Sequence, residues 1–256
     1  MFRALPYIHE CRPGPQRPIW IDAICLNQED DIEKATHVPL MGTIYKQAKR
    51  VLIWLGEAAN DSDLAMDGID DLTRKILAVE PDGCQEVCST QDLKCVGLPD
   101  INDPIWNALR VIQLRSWCFR LWTLQEAFVA AEAIVLCGTK NMPWEAITLL
   151  LDAALSRCLV MIFPIEMDVV NSRDAYSLLF TTLIGPRSPY SVNRSPMPLP
   201  SAILVSMNQH FKEPVDRIWA ILALLKDDDR NFLTQANLIR YDPAARLNTT
   251  RPILIS

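Results

Sequence analysis

The sequence predicts an α/β protein, a mostly parallel sheet flanked by helices and followed by a helical carboxyl-terminal extension. Three observations predict it. Apolar runs at residues 19–25 (IWIDAIC), 51–55 (VLIWL) and 133–137 (AIVLC) lack strict alternation, so they read as strands buried on both faces. Helical periodicity fills the intervals between them. The joints are short, with Gly56 and Gly138 closing the second and third runs. Strand, helix and strand so joined make a right-handed βαβ unit.

Asp22 interrupts the first predicted strand. A carboxylate there reads either as a cap for a neighbouring helix or loop, or as a site residue near the carboxyl end of a central strand, where open α/β sheets bind ligands. Leu26 to Asp31 is polar and turn-forming. Pro39 fits only the first turn of the next helix. That helix gathers Leu40, Met41, Ile44, Tyr45 and Ala48 on one face and ends in Lys46, Lys49 and Arg50, basic residues suited to a helix carboxyl end. After Gly56, Asp61 or Ser62 caps a helix that turns Ala65, Ile69, Leu72 and Ile76 inward. The Gly-, Cys- and Asp-rich stretch 81–103 reads as an exposed loop. Asp103-Pro104, a cap followed by proline at the first helical position, opens a helix through Ile105, Leu109 and Ile112.

Leu114 to Gly138 organises the rest. At about 100° per residue, Trp117, Leu121, Leu124 and Phe128 stack into one stripe, with Phe119, Trp122 and Val129 extending apolar character around the cylinder. The pattern predicts a single buried helix ending near Glu132. Gln125 and Glu126 fall inside it. Leaving either unpaired costs on the order of 1–3 kcal/mol for the amide and more for the charge, so both need partners. For Glu126 the available cations are Arg120 and Arg115.

A long helical region then runs from Pro143 to about Phe163, and a polar helix spans 172–184. The proline-rich connector GPRSPYSVNRSPMPLP has no core-forming pattern. Residues 201–211 form a short helix with Leu204, Met207 and Phe211 on one side. The stretch from Glu213 turns Ile218, Ile221, Leu222 and Leu225 inward and stops where Asp227, Asp228 and Asp229 oppose the helix dipole.

The chain has 256 residues, half of them hydrophobic, enough for a large core in one or two domains. Its net charge of −6 argues against nucleic acid as the partner, since phosphate binding needs clustered Lys and Arg. The longest apolar run, 147–163, is interrupted by Asp152 and Arg157 and is too short to span a bilayer, so no membrane segment is expected. The eight cysteines are scattered, several within apolar elements, which suits a reducing compartment. Cys84, Cys88 and Cys95 lack a CxxC pair and a nearby histidine, so no metal site is expected. Spacings typical of dinucleotide, P-loop, nucleophile-elbow or zinc-protease motifs are absent, and His9, His37 and His210 are isolated.

The block RPIWIDAICLNQEDDIEKATHVPLMGTIYKQAKRVLIWLGEA resembles the signature of the fungal heterokaryon-incompatibility (HET) domain. Trp20, Asp22, Cys25, Asn27, Gln28, Glu33, Met41, Ile44, Tyr45, Trp54, Leu55 and Gly56 carry the resemblance. The central stretch is similar to the second HET block through Trp117, Arg120, Trp122, Gln125, Glu126, Cys137 and Gly138. EPVDRIWAILALL resembles the third through Pro214, Asp216, Ile218 and Trp219. The family opens with a strand ending in SYxWG, which this chain lacks. The resemblance therefore implies an α/β core over 1–163 without its first strand, a helical extension over 164–242 and a tail over 243–256.

What the resemblance implies is a cytoplasmic protein of non-self recognition that triggers cell death when genetically different hyphae fuse. Its partners would be incompatibility or signalling proteins, with self-association among the options. The family has been compared with Toll/interleukin-receptor (TIR) domains, three-layer flavodoxin-like folds in which a helix glutamate cleaves NAD in some members. That comparison implies Glu126 as the catalytic candidate. Asp22, Asn27, Gln28, Trp122 and Gln125 become candidate binding residues, and NAD a substrate rather than a resident cofactor. A carboxylate in an apolar cleft suits an oxocarbenium-like transition state. Two other readings stand beside it: a contact module in which Glu126 is a buried structural link, and a truncated, non-functional member of the family.

Overall fold

The computed structural model describes residues 4–10, 18–78, 93–94, 97–156, 196–207 and 209–235. Among these the chain forms α1 (Leu5–Glu10), α2 (Asp22–Cys25), α3 (Asp31–His37), a 3₁₀ turn (Val38–Leu40), α4 (Met41–Gln47), β1 (Val51–Trp54), α5 (Ser62–Leu77) and α6 (Pro104–Gln113). A second 3₁₀ turn (Ser116–Phe119) precedes α7 (Thr123–Phe128), β2 (Ala133–Cys137), β3 (Lys140–Pro143) and α8 (Trp144–Ser156). After residue 195 come α9 (Leu199–Ser206), α10 (Asp216–Leu222) and α11 (Asp227–Gln235).

The protein is mixed α/β, but the sheet corrects the expectation of a mostly parallel one. Among the described residues it has three strands in the order β1-β2-β3, the first pair parallel and the second antiparallel. Val51 faces Ala133 and Trp54 faces Leu136 across the parallel pair. The antiparallel partner arises because Gly138, at φ +55°, reverses the chain just after β2 and returns Lys140 opposite Cys137. A Cβ on Gly138 would lie 2.7 Å from that of Ala58, so the turn needs glycine for space as well as for φ.

Residues 19–25 do not form the expected strand. Asp22 starts a four-residue helix in which its own Oδ1 accepts from the Ala23 N–H at 2.7 Å and the Cys25 N–H reaches the Ile21 carbonyl at 2.8 Å. Ile19 and Ile24 are 38% and 54% exposed. An apolar run resembles a strand only as long as a sheet neighbour satisfies its backbone, and here local helical bonds do so instead. The βαβ unit expected over 19–55 therefore does not form, and among the described residues no strand precedes α4.

Both faces of the sheet are covered. On one, Ala4 and, from α1, Ile8 pack over Leu52, Trp54, Ile134 and Leu136, and Tyr7 stacks on Trp54 with ring centroids 4.9 Å apart. On the other, Val51, Ile53, Ala133 and Val135 join the main core under α5, α6 and α8. α5 buries Ala65, Ile69, Leu72 and Ile76 as its periodicity requires. Its expected cap differs: Asp61 is left-handed and makes no side-chain cap bond, while Ser62 Oγ accepts from the Ala59 N–H. Asp103 caps α6 as expected, accepting from the Ile105 N–H at 2.9 Å.

In the carboxyl-terminal part, α9 buries Ala202, Val205 and Ser206, so the side carrying Leu204, Met207 and Phe211 faces solvent. The three aspartates after Lys226 begin α11, where negative charge favours a helix start. Asp229 also reaches across to accept from the Leu199 N–H at 2.9 Å, and Arg230 donates to the Leu222 and Leu225 carbonyls. The readings of 81–92, of the polar helix at 172–184 and of most of the proline-rich connector fall outside the described residues. Among the described residues no helix is long and apolar enough to cross a membrane.

Candidate functional site

The central stretch is not one helix. It breaks at Arg120, whose backbone is extended (φ −82°, ψ 133°) between the Ser116–Phe119 turn and α7. The break has a partner: Arg120 forms a parallel bridge with His210, the His210 N–H donating to the Phe119 carbonyl at 2.6 Å and the Leu121 N–H to the His210 carbonyl at 3.0 Å. Periodicity sees only neighbours along the chain, so it joined two short elements that a distant segment separates.

Glu126 sits on α7, 9% exposed. Its Oε2 accepts from Trp117 Nε1 at 2.8 Å, and its Oε1 lies 3.9 Å from Arg120 Nη2. Arg120 is thus the cation beside it. Arg115 instead donates to the Glu57 and Ala59 carbonyls, at 3.2 and 2.8 Å, and secures the loop after β1. Burial pushes the Glu126 carboxyl above the usual carboxylate range, Arg120 and the Trp117 N–H pull it back, and Asp22 pushes it up again. The net direction is upward, because the Arg120 guanidinium is half exposed and its attraction is screened by solvent.

Tyr45 of α4 completes the cluster. Burial raises its phenol, and the charges of Glu126 and Asp22 raise it further. The ring meets Trp20 edge-on at 5.9 Å, and the hydroxyl has no hydrogen-bond partner among the described residues. Asp22, Tyr45, Trp117 and Arg120 are therefore gathered around the buried Glu126 carboxyl. A carboxyl held above its ordinary pKa keeps its proton to higher pH, the state in which it donates rather than accepts.

The other candidates are placed less centrally. Asn27 and Gln28 are exposed turn residues: Asn27 Oδ1 accepts from the Glu29 N–H, and Gln28 Nε2 donates to the Asp22 carbonyl at 3.0 Å. Gln125 is buried and points the other way, donating to the Trp219 carbonyl at 2.6 Å, while its Oε1 has no partner among the described residues. It joins α7 to α10 rather than to Glu126. Trp122 is half-buried against the core and immediately precedes α7, its carbonyl accepting from the Gln125 and Glu126 N–H groups. Tyr45 and Trp117 were legible as apolar stripe residues and as matches to the HET blocks, but not as neighbours of Glu126. Gln209 and His210 carried no local signal at all, because their partners lie far away in sequence.

A groove of about 290 Å³ lies between α5 and α8, lined by Asp70, Thr73, Arg74, Leu77, Ala146 and Leu149. None of the clustered side chains lines it. Among the described residues no group of three or more His, Cys, Asp and Glu could hold a metal. Cys84, Cys88 and Cys95 lie outside those residues.

The family model described as heterokaryon incompatibility protein (HET) matches residues 3–126, a span that runs from the start of α1 to Glu126 and takes in the whole polar cluster. The chain is 33% identical over 175 residues to "Heterokaryon incompatibility protein 6, OR allele" of Neurospora crassa. That alignment takes in 62% of this chain and 25% of the relative, so the chain spans about a quarter of the relative's length. No solved structure gives a significant match.

Proposed function

We propose that this chain carries a heterokaryon-incompatibility domain and serves in fungal heterokaryon incompatibility, the recognition of non-self that ends in death of the fused cell. The carrying observation is the reach of the family match, which includes every residue of the Asp22, Tyr45, Trp117, Arg120 and Glu126 cluster. The name of the Neurospora relative points the same way. In this reading the domain acts in the cytoplasm through protein contacts, with signalling proteins or a second copy as partner, and Glu126 holds the recognition surface in shape. Both carboxylate oxygens already face protein donors, which supports a holding role.

A second reading has one observation in its favour. The raised Glu126 carboxyl, with Asp22 and the Tyr45 phenol near it, suits general-acid chemistry on a glycosidic bond such as that of NAD. With it goes a TIR-like ancestry of the core, supported by the parallel β1-β2 pair and by helices on both faces.

The test is expression in a fungal strain lacking the gene, scored by viability of fused cells. Death confined to fusions with genetically different strains is expected. Full viability in every pairing refutes the incompatibility role. Nicotinamide release from NAD by the purified chain, abolished by Glu126→Gln, would move the case to the second reading.

A further inference from the structure

Trp117 and Glu126 are nine residues apart. In an unbroken helix that separation is about 13.5 Å along the axis at 1.5 Å per residue, far beyond hydrogen-bond reach. The 2.8 Å bond between them therefore exists only because the chain breaks at Arg120. A break frees carbonyls that a continuous helix would have satisfied, and here they are buried: Cys118 and Phe119 are 3% and 7% exposed.

Those carbonyls are satisfied from a single distant place. The Gln209 side-chain amide, oriented with its nitrogen toward the central stretch, donates to the Cys118 carbonyl at 3.2 Å and to the Phe119 carbonyl at 3.0 Å. The His210 peptide brackets Arg120 from the same side, and its ring stacks on Phe119 with centroids 6.1 Å apart. The Arg120 carbonyl is taken by Thr123 Oγ1 at 2.5 Å. Gln209 itself is 5% exposed, so its amide is committed to this task. The family match ends at Glu126 and leaves this segment out.

We infer that Gln209 is a positioning residue for Glu126: its amide holds the break at Arg120 open, and the break sets both the Trp117–Glu126 bond and the approach of Arg120. The groups facing the Glu126 carboxyl are Asp22 from α2, Tyr45 from α4, and Trp117 and Arg120 from the central stretch. Closing the break withdraws Trp117 and Arg120 and leaves the other two in place. The inference rests on the reading of this cluster as the functional centre only for its consequence in the cell, since the geometry is read on the protein itself.

The experiment compares three full-length variants with the parent. Gln209→Met keeps side-chain length but cannot donate. Ser206→Ala removes a different buried polar contact of the same segment, the Ser206 hydroxyl to the Ile203 carbonyl at 2.8 Å. Trp117→Phe assigns the indole signal. The readouts are the Trp117 indole N–H resonance and the pH titration of the Glu126 carboxyl carbon. With Gln209→Met the indole signal should move toward that of an unbonded indole and the titration midpoint should shift, while Ser206→Ala leaves both at parental values. Unchanged signals in a folded Gln209→Met protein overturn the inference. So does an equal change in Ser206→Ala, or failure of Gln209→Met to fold, because either makes Gln209 a general stability residue. A moved titration with unaltered cell killing keeps the positioning role and refutes the functional reading of Glu126 instead.

Discussion

Glu126→Gln separates a stabilising ion pair from a carboxylate held at a cost. The substitution keeps an oxygen for Trp117 Nε1 to reach, so the 2.8 Å bond persists with a neutral acceptor. Hydrogen bonds to charged groups contribute about 1.5–3 kcal/mol and neutral ones about 0.5–1.5, so roughly 1 kcal/mol is lost there. The Arg120 contact is long, 3.9 Å, and its guanidinium is 52% exposed, so its loss is worth at most about 1 kcal/mol. Against these stand relief from burying a charge and from the nearby Asp22. The terms nearly cancel, and at pH 7 the variant should unfold within about 1–2 kcal/mol of the parent.

The pH dependence gives the sharper result. Because the folded pKa of Glu126 is raised above its ordinary value of 4.5, the stability linked to this group is fully present below pH 4.5 and is lost as pH rises through the folded value. The parent should therefore lose stability relative to Glu126→Gln as pH rises from 4.5 through the folded value. Urea unfolding followed by tryptophan fluorescence from pH 4 to 8 measures the difference. A loss of several kcal/mol in the variant at pH 7, or an advantage of the parent that grows with pH, would refute the reasoning and make the Arg120 pair dominant.

Trp117→Phe removes the donor that pulls the Glu126 carboxyl down, so that carboxyl should titrate at still higher pH, observable by carbon NMR, with a stability cost of about 1–3 kcal/mol for the orphaned oxygen. Gly138→Ala should destabilise the fold by more than about 1 kcal/mol in chemical denaturation, since it forces a side chain into φ +55° and against Ala58. Trp106→Ala, at a residue 1% exposed, should cost about 3–5 kcal/mol, and Trp122→Ala clearly less because Trp122 is only half-buried. Equal losses at the two tryptophans would place Trp122 in the core.

Where local pattern and tertiary context agreed, the sequence was legible. Val51–Trp54 and Ala133–Cys137 are strands and neighbours, and the inward residues of α5 and α6 follow their periodicity. Residues 19–25 misled because apolar composition says that a segment can be buried, not that a sheet neighbour is there to pair with it. The antiparallel β3, KNMP, was invisible for the opposite reason: it is short and polar, and exists because Gly138 turns the chain back onto β2. At the site, the need for partners at Gln125 and Glu126 could be read from cost alone, and Arg120 was among the named choices. Trp219, Gln209 and His210 could not be read, because a hydrogen bond to a backbone carbonyl across the fold leaves no spacing rule behind.

The reliance of Arg120 on His210 also orders events in time. Roughly 80 residues separate Glu126 from His210, and a ribosome adding about 5–20 residues per second needs on the order of 4–16 s to cover them. Throughout that interval the nascent chain holds every member of the polar cluster but lacks the segment around His210 that brackets Arg120. The continuous helix favoured by local sequence is then unopposed, and in it Trp117 and Glu126 stand too far apart to bond. Assembly of the cluster is thereby deferred until late in synthesis, and a chain released early has the cluster's residues without its geometry.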